Sequence, residues 1–281
     1  MLKLLEANPG VELFTTTRSA VNLPFQATVH HLDITDEAGV RATVQALRPD
    51  VIVHTAAMTQ VDACEQDRET CWRVNVEAVG NFVKACSDLP CHFIYLSTDF
   101  IFSGDNGPLT EEDKPGPVNF YGQSKLAAEE IVMTMTGKWS IIRTVLVYGI
   151  THDMSRSNIV LWVKDNLQQG KTIRVVSDQW RTPTLAEDLA MGCWLVAGKG
   201  ATGIFHISGQ NMLSPYQIAV RTAEYYDLDA SLIIAVDSAS LQQPAKRPLK
   251  TGFIIDKARK ELGYAPHSFD EGMAIMARQL L

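Results

Sequence analysis

The sequence predicts an α/β protein: a Rossmann-like, doubly wound parallel sheet followed by a smaller C-terminal lobe. Short apolar runs alternate with helical patterns through the first half of the 281-residue chain, which is typical of βαβ units. Beyond Tyr148 this alternation loosens, and loops rich in proline or polar residues interrupt it. Hydrophobic residues make up 46% of the chain and charged residues 20%, which excludes a disordered or coiled-coil chain.

Strands are predicted where apolar residues form short runs, and helices where apolar residues recur every three or four positions. The helix after the strand at 28–32 is expected to open at Thr35, because Asp36 and Glu37 follow it and acidic side chains complement the helix dipole. In chain order, the elements predicted for the first half are strands at 11–14 and 28–32, the helix from 35, a strand at 51–54, a helix at 68–87, a strand at 93–97, a helix after 120 and a strand at 140–143.

The second half is expected to add a lobe to this sheet and to form a cleft where the strand ends meet it. Ser214 and Pro215 fit the N-cap and first position of one of its helices. Such clefts are where open α/β sheets bind ligands. The elements predicted here are a helix at 159–169, a strand at 172–176, a helix at 186–197, a strand at 203–207, the helix after 214 and a helix at 269–280.

Charge and cysteine content narrow the class of protein. The net charge is −7, with 25 basic and 32 acidic residues and no basic run, so we expect no nucleic-acid or anionic-membrane partner. No apolar stretch approaches the roughly 18 residues that a membrane helix needs. The five cysteines are odd in number and lack metal-type spacing, so we expect reduced, mostly buried thiols in a cytoplasmic protein.

Tyr121 is followed four residues later by Lys125 at the start of a predicted helix, which puts both side chains on one helix face. An ammonium beside a phenol favours the phenolate. We therefore expect a lowered pKa for Tyr121 and a phenol that can give its proton to a developing alkoxide. The alternative is an ordinary solvated helix turn, and the spacing alone leaves it open.

Ser97 and Thr98 stand where the strand at 93–97 ends and the sheet opens into the predicted cleft. A hydroxyl there can donate to a carbonyl oxygen and hold it near the tyrosine. The alternative is that these hydroxyls satisfy backbone groups at the strand end. Taken with Tyr121 and Lys125, they predict the proton-donating group of a carbonyl reductase.

The runs LSTDFIFSG at 96–104 and YGQSKL at 121–126 resemble the extended short-chain dehydrogenase/reductase family and, within it, the dTDP-4-dehydrorhamnose reductases. Further matches lie at 54–57, 61–62, 75–76, 143–144, 147–149, 178–180, 183–184, 205–206, 209 and 247–248. The resemblance implies a dinucleotide-binding core over 1–148 and a mainly substrate-binding lobe over 149–281, with some segments returning to the core. It also implies NADPH-dependent reduction of a 4-keto nucleotide sugar, and a homodimer is possible.

The resemblance implies roles for individual residues. Tyr121 would donate the proton, Lys125 would hold the nicotinamide ribose, and Thr98 would orient the sugar ketone. Asp33 would flank the adenine, although with Thr35 it fits a helix cap equally well. The other assigned residues are Ile34 at the adenine, Ala56 and Ala57 beside the pyrophosphate, Asn75 as a brace, and Ser97, Asp99, Phe100, Arg181 and Arg247 at the substrate.

The strand before Arg18 ends without a carboxylate, and this bears on the cofactor. An acidic residue there would bind the ribose 2′-hydroxyl of NAD, whereas an arginine accommodates the 2′-phosphate of NADP. We therefore expect NADPH, with NADH possible, and the alternative is a solvated arginine. Some reductases of the family use magnesium, and Glu187 could match a ligand position, but we predict no metal site.

Two residues depart from the family's pattern where the substrate is expected. Phe100 replaces a tyrosine and removes a hydroxyl, and Leu146 replaces a tryptophan and removes a wide flat contact. Two alternatives to the reductase therefore stay open. One is a regulatory subunit that resembles the methionine adenosyltransferase β subunit and binds a partner enzyme. The other is a nucleotide-sugar epimerase or dehydratase.

The first residues lack a feature that a dinucleotide-binding fold needs. Only glycines let the backbone approach the pyrophosphate, yet Met1–Glu6 resembles the end of the first helix and the sole early glycine is Gly10. We expect the first strand and glycine turn to be missing, through a start downstream of the natural one or through natural loss. Two strand edges, at 12–15 and 51–54, would then be unpaired. We expect NADPH to bind at least ~100-fold more weakly than with the strand and turn restored, about 2.7 kcal/mol.

Overall fold

The computed structural model describes residues 10–19, 28–151 and 158–280. Its strands are β1 Phe14–Thr17, β2 Thr28–His31, β3 Val51–His54, β4 His92–Thr98, β5 Trp139–Thr144, β6 Val147–Tyr148, β7 Ile173–Val176, β8 Thr184–Leu185, β9 Gly203–His206 and β10 Ile233–Val236. Its α-helices are α1 Glu37–Leu47, α2 Val61–Gln66, α3 Arg68–Trp72, α4 Ala78–Cys86, α5 Phe120–Met133, α6 Ile159–Gln168, α7 Ala186–Lys199, α8 Pro215–Tyr225 and α9 Phe269–Gln279.

The main sheet has four parallel strands in the order β3-β4-β5-β9. Alternate residues of β4 enter different cores: Phe93 packs with residues of α1, α4 and α5, while Ile94 packs with residues of α7. Helices therefore cover both faces, and the predicted doubly wound α/β fold is confirmed. The strand β9 comes from the second half of the chain and pairs with β5.

The two N-terminal strands form a separate parallel pair, β1 with β2. Among the described residues, no strand pairs with β1 on the side away from β2, nor with β3 on the side away from β4. Whether these two edges are unpaired, as the sequence leads us to expect, stays a prediction, since residues 1–9 and 20–27 lie outside the described part of the chain. The segment 1–6, which the sequence likened to a helix end, lies outside the described residues.

Helix boundaries follow the capping residues that the sequence offers. The side chain of Asp36, rather than Thr35, caps α1, and its carboxylate accepts from the Ala38 N–H at 3.1 Å. The helix predicted over 68–87 is present but includes a π-helical turn, Arg73–Glu77, between α3 and α4. The strand predicted at 11–14 lies instead at Phe14–Thr17, so its expected bounds were too early.

The second half adds two short parallel pairs, β6 with β8 and β7 with β10, packed on α6, α8 and α9. Ser214 caps α8 with Pro215 as its first residue, as predicted. The division of the chain at 148 and 149 stays a prediction. All five cysteines are free and buried, which agrees with the expectation of buried thiols. Within the described ranges, every helix is too short or too polar to cross a membrane.

Candidate active site

The candidate site lies where β3 and β4 end and α5 begins. Asn119 caps α5, since its side-chain oxygen accepts from the Gly122 N–H at 2.8 Å, and its amide nitrogen donates to the Lys246 carbonyl at 2.7 Å. A Cβ at position 122 would collide with the Phe100 carbonyl. Glycine therefore lets the first turn of α5 approach the end of β4, and this brings Tyr121 to the strand end.

Tyr121 is buried in the first turn of α5, which packs against the end of β4. The Phe100 ring contacts the tyrosine edge-on, with ring centroids 5.7 Å apart. Burial raises the pKa of Tyr121 above its usual value, and the nearby Thr98 hydroxyl opposes this only in part. The expectation that Lys125 lowers this pKa was therefore wrong in direction, because spacing on a helix does not reveal how deeply the phenol is buried.

Lys125 is 3% exposed and donates from Nζ to the Leu96 carbonyl at 2.7 Å. The same Nζ lies 4.1 Å from the centroid of the Tyr95 ring. Burial lowers the pKa of Lys125 to about 7, and the nearby Glu129 carboxylate opposes this shift. Near neutral pH the ammonium is thus close to losing its proton.

The turn after β4 carries the other predicted site residues. Ser97 is 4% exposed, and within the described part of the chain its hydroxyl has no hydrogen-bond partner. Thr98 caps the short 3₁₀ helix Asp99–Ile101, accepting from the Phe100 N–H at 3.2 Å. The Asp99 carboxylate is buried, accepts from the Thr251 hydroxyl and lies 3.3 Å from Nε of Arg181. Burial raises the pKa of Asp99, while Arg181 lowers it.

Both arginines predicted at the substrate are held by protein partners. Arg181 is 4% exposed and also donates to the carbonyls of Trp180, Pro248 and Leu249. The guanidinium of Arg247 binds both carboxylate oxygens of Asp62, at 2.6 and 2.7 Å. Direct contact of Arg181 and Arg247 with a substrate stays a prediction. In the structure they join loops of the second lobe to the site.

The residues predicted at the cofactor line the carboxyl ends of β1, β2 and β3. Asn75 holds the loop after β3, bonding both the N–H and the carbonyl of Met58, and donates to Ser124 of α5 at 3.0 Å. Ala56 and Ala57 follow β3, and Ala56 is exposed. Asn75 thus connects this turn to the helix that carries Tyr121.

Asp33, Ile34 and Arg18 lie near the ends of β1 and β2. The carboxylate of Asp33 accepts from the N–H and hydroxyl of Thr35 at 2.9 and 2.7 Å, and these bonds lower its pKa. It shapes this turn, while Asp36 caps the helix itself. The Ile34 carbonyl accepts from Asn81 at 3.1 Å. Arg18 is exposed and close enough to Asp33 to lower the pKa of that carboxyl further.

A family model described as the RmlD substrate binding domain matches residues 7–281. The chain belongs to this family. A Haloferax volcanii protein named "Probable low-salt glycan biosynthesis reductase Agl14" is 32% identical over 254 residues, which are 90% of this chain and 85% of that protein. The methionine adenosyltransferase 2 subunit beta of Rattus norvegicus is 31% identical over 216 residues, covering 75% of this chain but only 61% of the subunit.

A solved structure leads to the same family assignment. The dTDP-4-dehydrorhamnose reductase of Bacillus anthracis, in complex with NADP, is similar with a TM-score of 0.84 and 28% identity, and 92% of each chain is covered. The family expected from the sequence is thereby confirmed.

Two further positions from the sequence analysis can be placed in this RmlD-family chain: the suggested metal ligand and the residue that stands where the family has a tryptophan. Glu187 accepts from the side chain of Gln279, and within the described residues no group of three His, Cys, Asp or Glu side chains converges. Leu146 adopts a left-handed conformation with φ 35°, and its side chain is exposed. A bulky residue rarely adopts this backbone, so the chain is strained between β5 and β6.

Three contributors were missed from the sequence. Tyr95 supplies the ring under Lys125, Glu129 forms a buried ion pair with Arg143 at 2.7 Å, and Asp62 holds Arg247. In the sequence, Tyr95 has the pattern of a core residue of its strand and Glu129 that of a surface residue of its helix. Neither pattern indicates a role in the site. Asp62 and Arg247 were both in matched runs, but their separation of 185 residues hid the pairing.

Proposed function

We propose that the chain reduces the ketone of a 4-keto nucleotide sugar with NADPH, with NADH as a weaker substitute. One observation carries the proposal: Tyr121 and Lys125 share the buried face of α5, and the first turn of this helix packs against the end of β4, where Thr98 lies. Two groups that can donate to one ketone oxygen then stand side by side. The NADP-bound B. anthracis reductase and the H. volcanii reductase support the reaction type.

The described residues fit two ends of the proposed cofactor. Lys125 and Asn75 fit the nicotinamide ribose end, and Arg18 with Asp33 fits the adenosine end. Ala56 and Ala57 leave backbone accessible between them. NADPH, when bound, supplies a hydride to the carbonyl carbon.

The chain's own residues then manage the oxygen and the proton. The Thr98 hydroxyl donates to the Asp99 carboxylate at 3.2 Å in this structure, and it would turn its proton to the ketone oxygen when the substrate binds. Tyr121 transfers its phenolic proton to the same oxygen as negative charge develops there. Burial raises the pKa of Tyr121 and makes the phenol a weaker acid, so the proton moves only as negative charge develops on the ketone oxygen and the Lys125 ammonium stabilises the phenolate.

The substrate side of the cleft is proposed to be formed by Ser97, Asp99 and Phe100. We assign Arg181 and Arg247 to holding the loops at 248–251 and 245–247 around it, since their guanidinium groups are already bound. A nucleotide-sugar substrate, a cytoplasmic location and a homodimer belong to the same proposal.

A turnover screen tests the proposal. The 281-residue chain is incubated with 4-keto nucleotide sugars, dTDP-4-dehydro-6-deoxy-L-mannose among them, and NADPH oxidation is followed at 340 nm with NADH in parallel. Oxidation that depends on a sugar, with the 4-hydroxy product identified by mass spectrometry and NMR, supports the reductase. An isomerised or dehydrated product without net cofactor oxidation supports an epimerase or dehydratase instead.

A regulatory subunit is the second candidate, because the rat methionine adenosyltransferase subunit beta is 31% identical to this chain. The presence of Thr98, Tyr121 and Lys125 together favours the enzyme, since binding a partner needs none of their proton chemistry. No turnover with any sugar, combined with co-purification of a methionine adenosyltransferase, would select the regulator.

A further inference from the structure

The surroundings of the Lys125 ammonium contain little that compensates its charge. Its own helix contributes Tyr121 and Glu129, but the Glu129 carboxylate is bound by Arg143 through Nε at 3.1 Å and through the terminal nitrogen at 2.7 Å. Helices α2 and α3 contribute the thiols of Cys64 and Cys71. Among the described residues, Nζ donates one hydrogen bond, to the Leu96 carbonyl.

Strands β3 and β4 contribute aromatic rings rather than charges. Tyr95 is 1% exposed, and its ring face lies under Nζ at 4.1 Å. His54, opposite it in register on β3, stacks on that ring with centroids 6.0 Å apart and planes at 19°. Burial and the Lys125 charge lower the pKa of His54 to about 3, so this ring is neutral and adds no repulsion at neutral pH.

We propose that Tyr95 is a positioning residue whose ring face holds the Lys125 ammonium at the active site and keeps it charged. The negative face of an aromatic ring attracts a cation most strongly where water is excluded, and this pair is buried. The hydroxyl of Tyr95 has no hydrogen-bond partner within the described part of the chain, so the ring, not the hydroxyl, makes the contribution. The inference rests on the proposed function, because the reaction uses Lys125 only in its charged form.

The experiment measures the ionisation of Lys125 directly. Protein labelled with ¹³Cε-lysine is titrated by NMR, and the Lys125 signal is assigned by its absence in Lys125→Arg. In Tyr95→Leu we expect the Lys125 pKa to fall by about one unit, a tenfold shift in its ionisation. In Tyr95→Phe, which keeps the ring, we expect less than about a third of that shift.

Phe93→Leu is the matched control. Phe93 lies two residues before Tyr95 on the same face of β4, is equally buried and also contacts His54, but it carries no cation. It should leave the Lys125 pKa in place. A shift in Phe93→Leu as large as in Tyr95→Leu would mean that packing alone is responsible and would overturn the proposal. So would an equal shift in Tyr95→Phe, which would assign the effect to the hydroxyl.

A second pair of variants tests the proposal even if Tyr95→Leu does not fold. Phenylalanine and pentafluorophenylalanine at position 95 have similar shapes, but fluorination withdraws the negative charge of the ring face. The fluorinated ring should lower the Lys125 pKa as Tyr95→Leu does, and an unchanged pKa contradicts the inference.

If the chain turns over a sugar, the alkaline limb of kcat/KM should move down by the same unit, about a fivefold loss at pH 7. Lack of turnover would remove the proposed function, whereas the NMR titration would still decide the role of Tyr95.

Discussion

The two ends of the candidate site differ in how they are built. Around Tyr121 and Lys125, the end of β4 packs against α5 and every functional group is nearly buried. Around Arg18 and Asp33, the pair of strands β1 and β2 stands apart from the main sheet, and Arg18 is exposed.

The degree of burial determines how far the pKa values of ionisable groups shift at each end of the site. In the buried end, loss of water lowers the pKa of Lys125 to about 7 and raises that of Tyr121, whereas at the exposed end hydrogen bonds and Arg18 only lower the pKa of Asp33. Charges separated by protein interact more strongly than those separated by water. Substitutions in the buried end should therefore have the larger effects.

The largest effect is expected for Tyr121→Phe. It removes the proton donor but keeps the ring that packs on Phe100, so kcat should fall about 10³-fold while cofactor affinity changes less than about threefold. Steady-state kinetics and calorimetric titration separate the two. Tyr264→Phe is the control, since it removes a buried hydroxyl that bonds the Ser208 carbonyl outside the site. Equal losses in both variants would refute a specific role for Tyr121.

Arg181 and Arg247, which join the second lobe to the site, should differ in how much their loss lowers the free energy of unfolding. Arg181→Ala leaves the buried Asp99 carboxylate unpaired and should cost about 3–5 kcal/mol of unfolding free energy. Arg247→Ala frees Asp62, whose side chain is 37% exposed, and should cost about 1 kcal/mol. Urea denaturation of both variants measures the difference. Comparable losses would show that burial does not set the strength of these contacts.

His54 tests how far water is excluded at the end of β3, a strand that pairs only with β4 among the described residues. Its pKa is about 3 in the folded protein, so the unfolded chain binds its proton first as the pH falls. The contribution of neutral His54 is thus complete above about pH 6.5 and is lost progressively toward pH 3, by about 3 kcal/mol at pH 4.5. His54→Leu should flatten this acid limb.

Denaturant titrations from pH 8 to pH 4.5 measure the slope for both proteins. At pH 8 the free energies of unfolding of the two proteins should differ only by the constant cost of the substitution. This difference serves as the control. An acid limb equally steep in His54→Leu would show that burial does not hold His54 neutral.

Local patterns were enough to predict the fold and the placing of Tyr121 and Lys125 on one face of α5, but not the electrostatics around them. The apolar runs predicted β1 to β5, β7 and β9 to within a few residues but missed the short strands β6, β8 and β10. Packing determines the rest. Contacts such as Asp99 with Arg181 join residues far apart in the chain, and the pKa direction of Tyr121 depends on burial that spacing does not encode.

The smallest effect is expected at the exposed end, for Arg18→Ala. Arg18 follows β1 beside Asp33, and in our proposal its guanidinium binds the 2′-phosphate that distinguishes NADPH from NADH. Because water screens an exposed charge pair, its loss should weaken NADPH binding only about tenfold, or 1.4 kcal/mol, and leave NADH binding unchanged. Calorimetric titration with both cofactors measures this, and Arg48→Ala, at the far end of α1, is the control. Equal affinity for NADPH and NADH in the unmodified chain would show that Arg18 does not select the cofactor.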